Sequence, residues 1–480
     1  PMTGPDGFLD KRPDLAALAA TICFLMIAGF IGFKYHNSVE IDSGEHDGYF
    51  LIAKEIIKEH SYADTYRPPF YSLLTAAVSL VSSTDTFVSG KLVSLFWGGL
   101  LVFFLYKLGD LLFGKQAALL AQLFLLTLFP VYNFAVWNSP SVMLASLFLI
   151  ILFYLASYVD RGISKKEAAF LGVLFGLAYL TKYTALALLP AVIFCFFSGK
   201  KDFRAALSAF SLFFLCFTGF ILPWLLYNNA VHGSPFFNDN WRNLALALYG
   251  KGSYRYLSGN PFDGWASVIA NDPLLFIKHW YTNVLNFFRQ DLLFHAGGSM
   301  FGAFAVAGIV SSIKRESRKI AVILIFMIVY ALGALMIFYR ARIMLIFTPL
   351  LVLFGCSFIF QESFPENVAL PFTGKFPFRK LVVILFLSAN INMFRYDLHH
   401  FKERHPVLEL EGGKWIQNTG SAVLKVATTL PFSGWYFDFH SIYLPDATGS
   451  YKKEYIKQVE REIIKEKPDY LLVGERTLRS

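Results

Sequence analysis

Charge is scarce in this sequence. Of 480 residues only 16% are Asp, Glu, Lys or Arg, against about 25% in ordinary soluble domains. Cysteine is scarce too: Cys23, Cys195, Cys216 and Cys356 all sit inside apolar runs. None falls in a polar segment, which excludes a disulfide framework or a cysteine-based zinc site and marks them as small buried hydrophobes. Internal repeats and low-complexity linkers are absent. The net charge of +9 is not gathered on a soluble basic face, so nucleic acid is excluded as a partner.

What is abundant is apolar. Hydrophobic residues make up 55% and aromatics 18% of the chain, with a mean hydropathy of +0.49. That is the composition of an α-helical polytopic membrane protein. The run from about Leu15 to Phe33 is longer than a signal-peptide core and has no small-residue cleavage site after it, so it is expected to stay as the first span. Further runs follow at 88–112, 116–131, 139–158, 167–181, 184–198, 205–226, 299–312, 320–338, 343–360 and 380–395. Their lengths predict about eleven spans. The short apolar stretch Pro68–Val81 is expected to lie at the interface.

Basic residues then sort by side. Lys107 and Lys115, Arg161 with Lys165 and Lys166, and Lys200 with Lys201 and Arg204 all fall on one face. So do Lys314, Arg315, Arg318 and Lys319, and then Lys375, Arg379 and Lys380. The positive-inside rule makes that face cytoplasmic, with the N-terminus inside and the C-terminus outside. Membrane lipids are therefore partners throughout. Arg67, Lys182, Arg340 and Arg342 sit on the opposite face, against the bias. Cations placed there call for an explanation other than topology.

The outer side carries three polar segments. The first loop, 36–67, concentrates acids, a histidine, tyrosines and an arginine. The second, 228–298, contains Trp241, Trp265 and Trp280 and is too long to lack structure, so helices are expected in it. The third, 397–480, reads as a small α/β domain following a transmembrane module at 1–396. It has a helix near Lys414–Asn418, strands at Val423–Thr429, Trp435–Tyr443 and Tyr470–Val473, and an amphipathic helix at Tyr451–Lys465.

Within the first loop, Glu45-His46-Asp47-Gly48-Tyr49 opens an amphipathic helix running to about Glu59. Its apolar face, Ile52, Ala53, Ile56 and Ile57, suits the bilayer surface. Asp42, Ser43 and Asp47 fit a capping role at its start. They equally fit a general base or metal ligand facing water. The prolines of Arg67-Pro68-Pro69 can simply separate two helices, yet they also aim a guanidinium fork suited to phosphate. Lys182, in a tight outer turn, either snorkels or meets an anion. Arg340 and Arg342 either anchor the interface or serve the same anion. Together these groups suit a lipid-linked phosphate donor whose leaving group is an anion.

At these residues the chain resembles the GT-C superfamily of integral-membrane glycosyltransferases, nearest its protein O-mannosyltransferase-like and lipid A aminoarabinose transferase-like members. Glu45 to Ala53 is similar to the first-loop motif with its catalytic aspartate. Arg67-Pro68-Pro69 and Gly176 to Lys182 resemble donor-phosphate contacts. Pro223-Trp224 with Asn228 and Gly233 resembles the lead into the large outer loop, and Arg342 to Pro349 a late span motif. The resemblance implies an inverting enzyme of the inner or plasma membrane, with its site and C-terminal domain extracytoplasmic. The donor would be a polyprenyl-phosphate sugar, and the acceptor a hydroxyl on protein, lipid or glycan. Asp47 would act as base, with Glu45 as the alternative acid. Arg67, Lys182 and Arg342 would hold phosphate, and Tyr49, Tyr66, Asn138 and Tyr183 would contact substrate. One departure stands out. In Trp137-Asn138-Ser139-Pro140, Asn138 occupies the place where the family often has a second acid, so a divalent metal on Asp47 and Glu45 stays open. A polyprenyl-linked oligosaccharide ligase or polymerase would share this layout. A transporter would instead show mid-span charges or repeated halves.

Overall fold

The computed structural model describes residues 13–35, 48–62, 64–198, 202–250, 261–290, 299–362, 364–370 and 374–403, with short stretches between 412 and 472. Glu45 and Asp47 lie outside the described residues, as does most of the segment after 403.

Apolar runs in a bilayer must satisfy their own backbone, and helices do so internally. The described chain accordingly runs through α1 (Pro13–Tyr35), α2 (Tyr49–Glu59), α3 (Phe70–Ser82), α4 (Thr86–Phe113), α5 (Lys115–Leu125) and α6 (Phe129–Val136). It continues through α7 (Ser141–Tyr158), α8 (Lys165–Thr181), a 3-10 turn at Tyr183–Leu188, α9 (Leu189–Ser198) and α10 (Phe203–His232). In the large outer loop lie α11 (Trp241–Tyr249), α12 (Trp265–Asn271) and α13 (Pro273–Phe287). Then come α14 (Ser299–Ile313), α15 (Arg318–Ile337), the short α16 (Ala341–Met344) and α17 (Phe347–Ile359). A two-stranded hairpin, β1 (Val368–Leu370) and β2 (Gly374–Phe376), precedes α18 (Phe378–Glu403).

By length and composition, α1, α4, α7, α10, α15 and α18 can each cross a bilayer, and α5 with α6 forms one further, bent candidate. The bend falls inside the run expected as a single span at 116–131. The two helices meet at 70° because Pro130, in the first turn of α6, has no N–H to continue a helix. The carbonyls freed at the break are taken up locally. Thr127 Oγ1 donates to Phe124 O at 2.7 Å and Tyr132 Oη to Leu126 O at 2.9 Å.

The core is a continuous apolar cluster centred on α4, α6, α7, α15 and α17. The side chains of α7 are buried all round over most of its length, so it is the bundle's central rod. Helices α8 and α10 pack closely through Gly172, where an added Cβ would lie 2.4 Å from the carbonyl of Phe213. Small residues let membrane helices approach in this way. Buried Gln122 ties three elements, its Nε2 donating to Ala17 O at 3.0 Å, Thr21 Oγ1 at 3.1 Å and Val102 O at 3.3 Å.

Two expectations change. The burial of α2 is not a stripe: Tyr49, Phe50, Leu51, Ile52 and Ala53 are all buried, while Ile56 and Ile57 are only half-buried. Its first turn is plugged between α3 and α4, rather than the whole helix presenting one face. Of the cysteines, Cys195 and Cys356 are buried, but Cys23 is exposed and Cys216 half-exposed, because α1 and α10 turn part of their surface away from the bundle.

Beyond α18, the described strands β3 (Lys425–Thr428), β4 (His440–Tyr443) and β5 (Tyr470–Leu472) form a parallel sheet in the order β4-β3-β5. Each falls within a run expected to be a strand.

Candidate functional site

Three structural units meet the expected site residues. The first is the turn before α3. Asp64, not foreseen from the sequence, organises it: Oδ1 accepts the N–H of Tyr66 at 2.8 Å and of Arg67 at 2.6 Å. Its other oxygen pairs with the Arg67 guanidinium. Tyr62 Oη donates to the carbonyl of Arg67 at 2.8 Å, and the buried Pro68 and Pro69 fix the backbone leading into α3. Such a turn, with Asp three residues before an Arg-Pro pair, is a recognisable Asx signal.

The Arg67 fork is held against Gly48, the residue after Asp47 in the chain. A Cβ on Gly48 would lie 3.5 Å from Arg67 Nη2, and the guanidinium sits 5.5 Å from the Tyr49 ring centre. Gly48 itself caps α2 in the left-handed region, at φ 68°, without a side-chain cap. The capping position is therefore held by a glycine, while Asp42, Ser43 and Asp47, read as helix-start residues, lie outside the described residues. Tyr49 is buried edge-on against Tyr71 at 5.4 Å, so its ring forms the floor beneath Arg67.

The second unit is an aromatic wall. Trp224 Nε1 donates to Tyr183 Oη at 3.2 Å. Trp224 also stacks on Tyr227 at 5.4 Å and meets Tyr62 edge-on at 5.3 Å. Burial, and after it the negative charge of Asp64, raises the pKa of Tyr62 well above its usual range.

The third unit is a cationic pocket at the N-terminus of α7. It is lined by Ser141, Phe148, Lys182, Tyr330, Arg342 and Ile346, among others. Lys182 lies in extended backbone just past α8, which turns its side chain across to α7, and Nζ donates to Ser141 Oγ at 3.1 Å. Arg342 is presented by the single turn of α16, braced by Tyr330 Oη donating to the carbonyl of Ile343 at 2.8 Å. Two cations and a hydroxyl converge here beside the first turns of an 18-residue helix. That is the chemistry of an anion site. Ser141 was not foreseen, although its position directly after Ser139-Pro140 at a helix start was a signal.

Asn138 is 1% exposed and is seated against bare backbone: a Cβ at Gly90 would lie 1.8 Å from its Oδ1. The peptide around it is tied to the Arg67 unit. Tyr71 Oη bonds Ser94 Oγ at 2.7 Å, and Ser94 Oγ donates to Trp137 O at 2.5 Å. Lys91, also unforeseen, is 2% exposed, with Nζ donating to Gly32 O at 3.2 Å and lying 4.1 Å from the Phe87 ring centre. The signal was there: it is the lone charge in the run from Thr86 to Tyr106.

Arg67, Tyr49 and Tyr66 thus belong to one unit, Lys182 and Arg342 to another, and Tyr183 follows Lys182 directly into the aromatic wall. With this geometry in place, residues 66–227 match the family described as dolichyl-phosphate-mannose-protein mannosyltransferase. The chain superposes on the oligosaccharyltransferase AglB of Archaeoglobus fulgidus, solved with an inhibitory peptide and a dolichol-phosphate. The identity is 14% and the TM-score 0.59, over 97% of this chain and 70% of that one. It also superposes on ArnT of Cupriavidus metallidurans bound to undecaprenyl phosphate, with 12% identity and TM-score 0.58, over 95% of this chain and 89% of that one.

The chain has the GT-C fold. It is an integral-membrane architecture. No curated protein sequence matches it.

The Archaeoglobus enzyme has also been solved with zinc and sulfate. Here no group of three or more His, Cys, Asp or Glu side chains is placed to hold a metal among the described residues, and Asn138 stands where the family often has a second acid. Glu45 and Asp47, the acids read as metal ligands if any, lie outside the described residues.

Proposed function

We propose that this protein is an inverting glycosyltransferase that moves a sugar from a polyprenyl-phosphate carrier to a hydroxyl acceptor at the extracytoplasmic face. The observation that carries the reading is the pocket in which Lys182, Arg342 and Ser141 meet beside the first turns of α7. The GT-C fold and the family match over 66–227 support it.

Asp47, with Glu45 as the alternative acid, takes the proton of the acceptor hydroxyl. The freed oxygen attacks the anomeric carbon from the side opposite the phosphate. The bond from that carbon to the phosphate oxygen breaks, and the polyprenyl phosphate leaves with the electron pair. Negative charge grows on the phosphate as the bond stretches, and the preset cations of Lys182, Arg342 and Arg67 stabilise it. Tyr66, Tyr183 and the aromatic wall line the approach, while Tyr49 and Asn138 support it from beneath. Segment 397–480 is assigned to the extracytoplasmic side with the site.

The test is transfer from a panel of radiolabelled polyprenyl-phosphate sugars by purified protein, with and without EDTA. Asp47→Asn is expected to lower turnover by roughly 10²–10⁴, the usual contribution of a positioned base. Folded Asp47→Asn with wild-type turnover sinks the assignment of the base. Activity abolished by EDTA shows that a metal is required.

A further inference from the structure

The turn that carries Arg67 has a second support, and it comes from the far end of the large outer loop's first stretch. The Asp239 N–H donates to the carbonyl of Thr65 at 3.0 Å. Asn240 Nδ2 donates to the carbonyl of Tyr66 at 2.8 Å. Both carbonyls preceding Arg67 are thus held from 228–250, while Asp64 holds the N–H groups of Tyr66 and Arg67 from within the turn.

Asn240 is itself fixed. Its Oδ1 accepts from Asn243 Nδ2 at 3.4 Å, and its N–H donates to Asn238 Oδ1 at 3.3 Å. Asp239, 7% exposed, pairs with Arg242 at 3.4 Å. One further tie runs the same way, Tyr227 Oη donating to the carbonyl of Tyr62. Apolar packing alone lets a loop slide; directional bonds to successive carbonyls set its register and the direction of the next side chain.

We propose that Asp239-Asn240 is a latch by which the large outer loop positions Arg67 for the donor phosphate. Asn240 is a positioning residue acting through the backbone of Tyr66. The proposal rests on the reading of Arg67 as a phosphate contact and adds a coupling to it: seating of the large loop and binding of the lipid phosphate become one equilibrium, because a guanidinium fork binds a phosphate only along a defined direction.

The experiment uses the full chain in detergent, with undecaprenyl phosphate as probe. Asn240→Asp keeps the side chain's size but turns an acceptor toward the Tyr66 carbonyl. Hydrogen exchange at the Asp239 amide, the latch's backbone donor, and calorimetric affinity are measured for the wild type, Asn240→Asp, Arg67→Ala and the double variant. Faster exchange in Asn240→Asp is expected, with affinity weakened by roughly tenfold, about the effect of one lost hydrogen bond. No further weakening is expected when Asn240→Asp is added to Arg67→Ala. Unchanged exchange overturns the latch. Equal weakening by Asn240→Asp with and without Arg67 overturns the positioning role. A wild-type chain that does not bind the probe sinks the donor reading and the positioning role with it, while the exchange rates still decide whether the latch exists.

Discussion

Lys182 Nζ and Ser141 Oγ, 3.1 Å apart, are on elements separated by a whole membrane-length helix pair in the sequence. The lysine is placed by backbone, not by its own flexibility: the chain leaves α8 extended at φ −154° before tightening into the 3-10 turn. Methionine at 182 keeps the stem's packing and removes the charge. Lys182→Met is expected to cut kcat/KM by roughly 10²–10³, the scale of one lost stabilising donor. Arg342→Met is expected to act in the same direction, and the pair to lose less than the sum, since both face one anion. The measurement is steady-state transfer at varied donor; a change in neither constant for either variant removes the pocket from the reaction. At this scale the sequence was most informative where a residue broke a rule. Lys182 and Arg342 stood out as cations on the disfavoured side. Asp64 and Ser141 broke no rule, and their roles depend on partners three and 41 residues away. Asn240 meets Tyr66 across 174 residues, a pairing that no local pattern encodes.

Elements show a different balance. Apolar runs were legible because backbone in lipid has few options. The runs fall on helical segments, but 116–131 and 343–360 each hold a break and 184–198 opens with a 3-10 turn. Among the described residues six helices, or seven with the bent pair, are long and apolar enough to cross, where about eleven spans are expected. Less legible were the places where tertiary contacts set the detail: the bend between α5 and α6, and the burial of the first turn of α2 on every side. The contact of Asn138 with α4 is of this kind. Gly90 is needed there because anything larger meets the amide. Gly90→Ala is expected to destabilise the protein by about 1–3 kcal/mol, the usual cost of overpacking, and Asn138→Ala to restore part of that loss in the double variant. Thermal unfolding of the purified proteins checks it; additive losses would show that the two residues do not meet.

For the whole molecule, the sided distribution of Lys and Arg makes a claim about orientation. Single cysteines placed in a chain with its four native cysteines replaced are expected to react with an impermeant maleimide in intact cells at Asn238, next to α11. At Lys166, at the start of α8, they are expected to react only after the membrane is opened. Labelling in the opposite order inverts the topology and moves the proposed site to the cytoplasm. The GT-C architecture was legible only through a handful of motifs scattered over the chain, since composition alone says membrane and no more. The strands β3, β4 and β5 were legible from their β-branched and aromatic runs, whereas the hairpin of β1 and β2, three residues a side, is too short to leave a pattern.

Arg67 arrives at the site already accompanied by Asp64. A bare guanidinium facing water would attract whatever small anions the medium contains. One with a tethered carboxylate has a standing competitor, always present at high local concentration, which a free phosphate or sulfate ion must displace with nothing else to hold it. A lipid-borne phosphate is held in place by its buried tail and suffers much less from that competition. In the proposed reading, the Asp64 pairing therefore acts as a selectivity filter in which the resident carboxylate screens out soluble anions and yields to membrane-anchored ones.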